Sequence, residues 1–329
     1  MLHIGILGCG RIGQVHAMSL ERLKDRARLV AVADAFEEAA EALAAKTGAE
    51  VRDADTLIAS ADIDAIIIGT PTSTHYDIIH KAAAAGKAIF CEKPVDLSSE
   101  RAAECAAIVA KAGVPFLTAF NRRFDPNFAH VEAELRKGTI GAIEQVIITS
   151  RDPGPPPIEY IPHSGGIFRD MMIHDFDMAR FLLGEEPTSV YAVGSCMVDP
   201  KIGAAGDVDT AAVTMTTASG AVCQITNSRR ATYGYDQRIE VHGSKGMLAA
   251  KNIRETSVEH AGEAGFISAP NVHFFLERYA DAYVRELEHF LHAVTAGTAP
   301  SPSAEDGLRA QRLADAAARS LAEGGPVTP

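Results

Sequence analysis

The sequence predicts an α/β protein in two parts. Residues 1–121 read as a doubly wound parallel sheet. Residues 122–329 read as an α+β domain with a large, mostly antiparallel open sheet, whose last helix can pack back on the first part. Three observations carry this. Short apolar runs alternate with helical stretches through the first 120 residues, the order of a parallel sheet with right-handed crossovers. A G-x-G-x-x-G run follows the first apolar run. Beyond residue 120 the strand-like runs lengthen and are separated by turn dipeptides such as Ser219-Gly220 and Gly243-Ser244, the mark of antiparallel pairing.

In order, the apolar runs Ile4–Leu7, Leu29–Ala33, Ala65–Ile68, Ala88–Cys91 and Pro115–Ala119 suit parallel strands covered on both faces. Helices are expected at Phe36–Thr47, at Thr74–Ala85 with Ser73 as N-cap, and at Ser99–Ala112. Each stops at a glycine (Gly48, Gly86, Gly113), a residue that adopts the left-handed helix-ending conformation at little cost. In the second part a helix at Asn127–Lys137 leads to a strand at Ile143–Ser150. The proline-rich run from Asp152 to Pro157 reads, by composition, as a stiff linker. A single helix is expected from Ile167 to Leu183. Strands follow at Ser189–Met197, Asp209–Thr217, Ala221–Ser228, Arg238–His242 and Gly246–Ala250. Helices at Phe275–Ala296 and Ala304–Ala322 close the chain.

The 329 residues suit two domains better than one core. At 47% hydrophobic and 22% charged the composition is that of a globular protein. A net charge of −12, with no long basic cluster, argues against a nucleic-acid partner. No apolar run reaches the roughly 18–20 residues needed to cross a bilayer, and the first residues lack the pattern of a secretory signal. The five cysteines are scattered, with no C-x-x-C pair, and read as buried thiols of a cytoplasmic protein.

Gly8-Cys9-Gly10-Arg11-Ile12-Gly13 gains meaning from its place between a strand and a helix. Gly8 permits the tight turn, Gly10 lets a pyrophosphate approach the backbone, and Gly13 lets the helix sit close to the sheet. The helix N-terminus offers free N–H groups to phosphates. Asp34, 21 residues after Gly13, ends the second strand. A carboxylate there accepts from a ribose hydroxyl and repels a 2′-phosphate, so NAD is favoured over NADP. Asp34 can also cap the following helix. This is the Rossmann arrangement.

Two further segments bear chemistry. Glu92-Lys93-Pro94 follows the strand that ends at Cys91, on the edge where ligands sit in open α/β sheets. Lys93 there can contact a substrate hydroxyl, or be an ordinary lysine before a turn proline. The second segment runs from Gly165 to Met178. On one helix, Asp170, His174 and Asp177 (i, i+4, i+7) would share a face. His174 suits a general base, with Asp170 orienting it or binding a substrate hydroxyl. The same trio could instead form a buried polar network. No metal is expected, because no second histidine stands at ligand spacing.

Together these motifs resemble the Gfo/Idh/MocA oxidoreductase family along essentially the whole chain. The more specific likeness lies in Asn121-Arg122-Arg123-Phe124-Asp125, Ser150-Arg151-Asp152-Pro153, the run from Ser164-Gly165-Gly166 to Arg180, and Phe274 to Tyr279. The resemblance implies NAD-dependent oxidation of a cyclic polyol, foremost myo-inositol to its 2-keto product. Another inositol stereoisomer, an aldose, or a non-catalytic NAD sensor are the alternatives. It implies a catalytic trio of Lys93, Asp170 and His174. Asn121, Arg122 and Arg123 would lie near the substrate or the domain junction, and Asp152 and Tyr235 would approach the polyol. Thr70, Pro71 and His75 would line the nicotinamide side, with Glu92 and Lys93 also near the cofactor. The proline-rich run then becomes a wall of the site, and the protein a homo-oligomer, a tetramer in many relatives.

Overall fold

The computed structural model describes residues 1–329. The chain divides into two compact units. The first joins Met1–Phe124 to Asp281–Gln311, and the second joins Asp125–Ala280 to Arg312–Pro329.

In the first unit, β1 (Leu2–Leu7), α1 (Arg11–Glu21), β2 (Ala27–Ala33) and α2 (Glu37–Thr47) are followed by a short strand β3 (Glu50–Val51) and a short helix α3 (Ala54–Ala59). Then come β4 (Ala65–Ile68), α4 (His75–Ala84), β5 (Ala88–Glu92), α5 (Ser99–Ala112) and β6 (Phe116–Ala119). The strands form one sheet in the order β3-β2-β1-β4-β5-β6, and every pairing is parallel. Neither β3 nor α3 was expected. Two exposed strand residues and a helix of six residues leave no hydrophobic period to read. The one local signal is Asp53, whose carboxylate accepts the Thr56 N–H at 2.9 Å and caps α3. Ser73 is not the N-cap of α4. Residues Thr72–Thr74 form a 3₁₀ turn after Pro71, and the Thr74 hydroxyl bonds back to Thr70 and Pro71.

The second unit opens with α6 (Pro126–Arg136) and β7 (Ile143–Arg151). After the proline-rich run come α7 (Ile161–Ser164), α8 (Gly166–Asp170), α9 (Ile173–Leu183), β8 (Pro187–Ser195) and α10 (Pro200–Ala204). Strands β9 (Thr210–Thr217), β10 (Val222–Ser228), β11 (Asp236–Gly243) and β12 (Gly246–Ala250) complete a sheet in the order β12-β11-β7-β10-β9-β8. Only β7 and β10 pair in parallel; the other pairings are antiparallel. An unexpected hairpin, β13 (Glu259–Gly262) and β14 (Gly265–Ser268), stands apart from it. The closing helices are α11 (Phe275–Arg278), α12 (Ala280–Ala296) and α13 (Ala304–Glu323).

Alternation sorts the second sheet. Val146, Ile148, Val213, Met215, Cys223, Ile225, Ile239 and Val241 are buried on one face, against which α9 lays Phe176, Ala179 and Leu182. The other face leaves Tyr191, Val193 and Met247 exposed. In the first unit two clusters cover the two faces of the parallel sheet. One joins Ile4, Leu20, Val32 and Phe90 to Leu287, Phe290 and Leu291 of α12. The other joins Ile66, Ile68 and Ile89 to Ile79, Val109 and Leu308. The buried stretches of these parallel strands are therefore apolar on both faces.

The helix expected from Ile167 to Leu183 is broken. The Met171 and Met172 N–H groups both donate to the Ile167 carbonyl, at 3.0 and 2.9 Å. The second bond spans five residues, and this widened turn ends α8. Met171, Met172 and Ile173 are consecutive and all buried, whereas a regular helix turns successive side chains away from a single flat partner. The break satisfies that burial.

Candidate active site

The first unit supplies a dinucleotide cradle. Gly8 has φ +95°, and a Cβ there would lie 2.5 Å from the Gly69 backbone. A Cβ on Gly13 would lie 1.9 Å from the Gly8 carbonyl oxygen, whereas one on Gly10 meets nothing within 4 Å. Two glycines are thus required by packing, and the third faces open space. Gly10 begins α1 without a side-chain cap, and no acidic residue stands in the first turn, so the positive end of this helix is available to phosphate. Arg11 is exposed and Ile12 half-buried beside it. Asp34 Oδ2 accepts the Cys9 N–H at 2.6 Å, and Oδ1 accepts the Phe36 N–H at 2.9 Å. Asp34 therefore ties the glycine turn to the end of β2 and steadies the approach to α2. An acidic group at this corner and an open Gly10 fit an adenosine ribose and a pyrophosphate.

Two loops at the carboxyl edge of this sheet hold the other expected residues. Thr70 is half-buried, Pro71 exposed, and Lys93 half-buried with a cis bond to Pro94. His75 is only 1% exposed. Its ring lies between the two loops, with Nε2 3.0 Å from the Thr70 carbonyl and Nδ1 3.0 Å from the Pro94 carbonyl. It is thus a brace that fixes one loop against the other. Burial pushes its pKa below the ordinary histidine value. The Glu92 carboxylate turns inward to His16 of α1, Oε1 to Nε2 2.6 Å, and His16 packs edge-on against Phe90 and Tyr283. His16 went unread in the sequence, although it sits three residues past Gly13 on the helix face toward the sheet. Asn121 and Arg122 are buried in a 3₁₀ turn after β6, and Arg123 pairs with Asp306 at 3.2 Å.

The second unit holds the rest. Asp170 ends α8 and His174 lies in the first turn of α9, so the expected shared helix face is replaced by two helix ends meeting at the Met171–Met172 turn. The third member drops out. Asp177 is 1% exposed and faces Arg180 at 3.8 Å, and Arg180 is held by Glu186 through two 2.8 Å bonds; this is the structural alternative. Asp175, beside His174, is buried and anchors α9 to the sheet. Its carboxylate accepts from Ser150 at 2.5 Å and Asn227 at 2.9 Å.

Asp170 has two partners that sequence reading missed. Tyr160 donates its hydroxyl to Oδ1 at 3.0 Å, and Arg229 approaches Oδ2 at 3.3 Å. Burial, then the Asp170 charge, push the Tyr160 phenol well above its usual value. Asp152, at the start of the proline-rich run, is half-buried and gives its N–H to the Ser228 carbonyl. Tyr235 is buried against Phe274 and Tyr279. No group of three His, Cys, Asp or Glu side chains is arranged to hold a metal ion.

Sheet order and glycine turn define a dinucleotide-binding domain joined to a second α/β domain. Residues 2–120 match the model of an oxidoreductase family's NAD-binding Rossmann fold, and residues 133–328 match that family's C-terminal α/β domain. The chain belongs to the Gfo/Idh/MocA family of NAD-binding oxidoreductases. It is 56% identical over 322 residues to inositol 2-dehydrogenase of Rhizobium meliloti, covering 98% of this chain and 97% of that one. It is 47% identical over 324 residues to myo-inositol 2-dehydrogenase of Thermotoga maritima, with the same coverage of each. The crystal structure of scyllo-inositol dehydrogenase from Lactobacillus casei, with bound NAD(H) and scyllo-inositol, is similar at a TM-score of 0.93. That pair is 30% identical and covers 100% of this chain and 99% of the other.

Proposed function

We propose that this protein oxidises the C2 hydroxyl of myo-inositol to the 2-keto product with NAD⁺. The observation that carries the reading is identity of 47% and 56% over 98% of the chain with two relatives named for this reaction. We assign the chemistry to Lys93, Asp170 and His174. The chemistry NAD⁺ supplies when bound is acceptance of the hydride from the carbinol carbon. Gly8, Gly10, Gly13 and the start of α1 receive its pyrophosphate, and Asp34 its adenosine ribose. Thr70, Pro71 and Lys93 stand on the carboxyl edge of the same sheet. The His174 imidazole takes the hydroxyl proton, Lys93 hydrogen-bonds the reacting oxygen or its neighbour, and Asp170 orients the ring. Asn121, Arg122, Arg123, Asp152 and Tyr235 are assigned to the substrate side, directly or by supporting the residues that touch it.

A second reading, oxidation of another inositol stereoisomer, is favoured by the likeness to the scyllo-inositol enzyme. A cytoplasmic homotetramer working in inositol breakdown completes the proposal. Exposed Tyr191 and Val193 on the open face of the second sheet support self-association.

The test is NADH formation by the purified protein on a panel of myo-, scyllo- and D-chiro-inositol, glucose, galactose and xylose, each with NAD⁺ and NADP⁺. Preference for myo-inositol with NAD⁺ is expected. Faster turnover of a sugar overturns the substrate, and NAD binding without any turnover overturns the activity.

A further inference from the structure

Arg229 follows the end of β10 and is 1% exposed, among the largest fully buried side chains of the protein. A guanidinium held away from water is costly unless carboxylates replace the solvent. Its two acidic partners come from the same domain. Nη1 and Nη2 both lie 3.3 Å from Oδ2 of Asp170, and Nη2 lies 3.6 Å from Oδ2 of Asp207. The Arg229 backbone is anchored as well: its N–H donates to the Asp209 carbonyl at 2.8 Å. The buried Asp209 carboxylate in turn receives the N–H groups of Met197, Val198 and Asp199.

Both carboxylates bear on α8. Asp207 Oδ1 accepts the Ile167 N–H at 3.0 Å in the first turn. It approaches Gly166 so closely that a Cβ there would lie 2.9 Å from it. Asp170 is the last residue of that helix. One cation thus joins the acid that holds the start of the helix to the acid at its end. Oδ2 of Asp170 is turned to Arg229, while Oδ1 accepts from the Tyr160 hydroxyl. The two oxygens are therefore distinguished, and the side chain is held in one orientation.

We infer that Arg229 is a positioning residue for the oxidation, acting through Asp170 by fixing which oxygen is presented to substrate. The inference rests on the proposed role of Asp170. A plain structural ion pair would stabilise the domain equally but would leave turnover in folded protein unchanged. The planar fork of arginine matters, because lysine offers a point charge and cannot hold one carboxylate oxygen from two nitrogens.

The experiment is steady-state kinetics on the full chain with NAD⁺ and myo-inositol for Arg229→Gln, Arg229→Lys, Asp170→Asn and Arg229→Gln/Asp170→Asn. Arg229→Gln should lower kcat by about 10²-fold, the cost of a misplaced reacting group, with the KM for NAD⁺ unchanged. Arg229→Lys should recover only part of this. In the Asp170→Asn background Arg229→Gln should cost little more, because residues acting as a unit are not additive. Equal losses in both backgrounds would overturn the inference, as would an effect confined to the KM for NAD⁺. Full turnover by Asp170→Asn would instead overturn the role of Asp170, and the inference with it. Should Arg229→Gln fail to fold, Arg229→Gln/Asp207→Asn removes one acid with the cation. Compared with Asp207→Asn alone, it carries the same test.

Discussion

Gly10 and Gly13 lie three residues apart in one turn, yet alanine at each should fail in opposite ways. At Gly13 an added Cβ would sit 1.9 Å from the Gly8 carbonyl oxygen, far inside any contact a real Cβ makes. The turn cannot yield, because Gly8 is itself pressed against the Gly69–Thr70 backbone. The cost should reach or exceed the ~1–3 kcal/mol of overpacking a core, so about 3 kcal/mol, or roughly 6–12 °C in Tm for a domain of this size. At Gly10 the backbone (φ −68°, ψ −163°) suits alanine, and the Cβ meets nothing within 4 Å. The gain from a stiffer unfolded chain, ~0.4–1 kcal/mol, roughly offsets a poorer N-cap. Apo stability should therefore hardly change. The methyl would occupy the face offered to the pyrophosphate, and a loss of ~1–3 kcal/mol corresponds to about 5–150-fold in Kd. Thermal unfolding of the apo proteins and a titration with NADH read the two effects separately. A Gly10→Ala protein binding NADH like the wild type would free that face of any cofactor role, and a Gly13→Ala protein melting like it would show that the turn can give way.

Asp34→Ala should lower the NAD-to-NADP ratio of kcat/KM about 10–100-fold, the worth of a hydrogen bond to a charged group; an unchanged ratio removes Asp34 from cofactor choice. His174→Ala should lower kcat by about 10²–10⁴-fold while NADH titration stays as in the wild type, and normal turnover would dismiss it as the base. Burial holds His75 below its ordinary pKa despite the carbonyls of Thr70 and Pro94 and the charges of Glu92 and Asp96. The unfolded chain then takes up the proton first as pH falls. This share of stability is complete above about 6.5 and is lost below that, toward the folded value. The Tm should fall on acidification, less steeply in His75→Asn; parallel curves would contradict this. Burial raises the Cys9 thiol to about 11 and the Cys105 thiol to about 12, and of the five thiols only Cys196 is partly exposed. Native protein treated with iodoacetamide should be labelled first at Cys196, and early labelling of Cys9 would show that the glycine turn opens.

The parallel sheet was legible because its strands other than β3 carry apolar runs, and α2, α4 and α5 stop at Gly48, Gly86 and Gly113. The glycine turn and Asp34 were legible because their roles depend on local backbone and fixed spacing. The bend at Met171–Met172 was not. Hydrophobic spacing over 167–183 fits one helix, and only the sheet beneath makes burial of three successive side chains the stronger demand. Asp177 misled for the same reason: a buried carboxylate with the right spacing looks like a site until Arg180 is seen to face it. Arg229 carries no spacing signal of its own, and its meaning depends on Asp170 and Asp207, 59 and 22 residues earlier in the chain. No local pattern encodes such a contact.

One wall of the NAD-binding domain comes from far down the chain. Leu287, Phe290 and Leu291 of α12 close the same cluster as Leu20 and Phe90. Synthesis therefore releases residues 1–124 with part of one apolar face uncovered, and residue 281 emerges roughly 8–30 s later at ordinary elongation rates. The second domain is threaded through that interval. A nascent chain stalled within it presents an unfinished sheet to chaperones and proteases. A fragment cut at residue 124 keeps the glycine turn but lacks the helix that seals the sheet behind it, so the halves of this protein are units of packing without being units of biosynthesis.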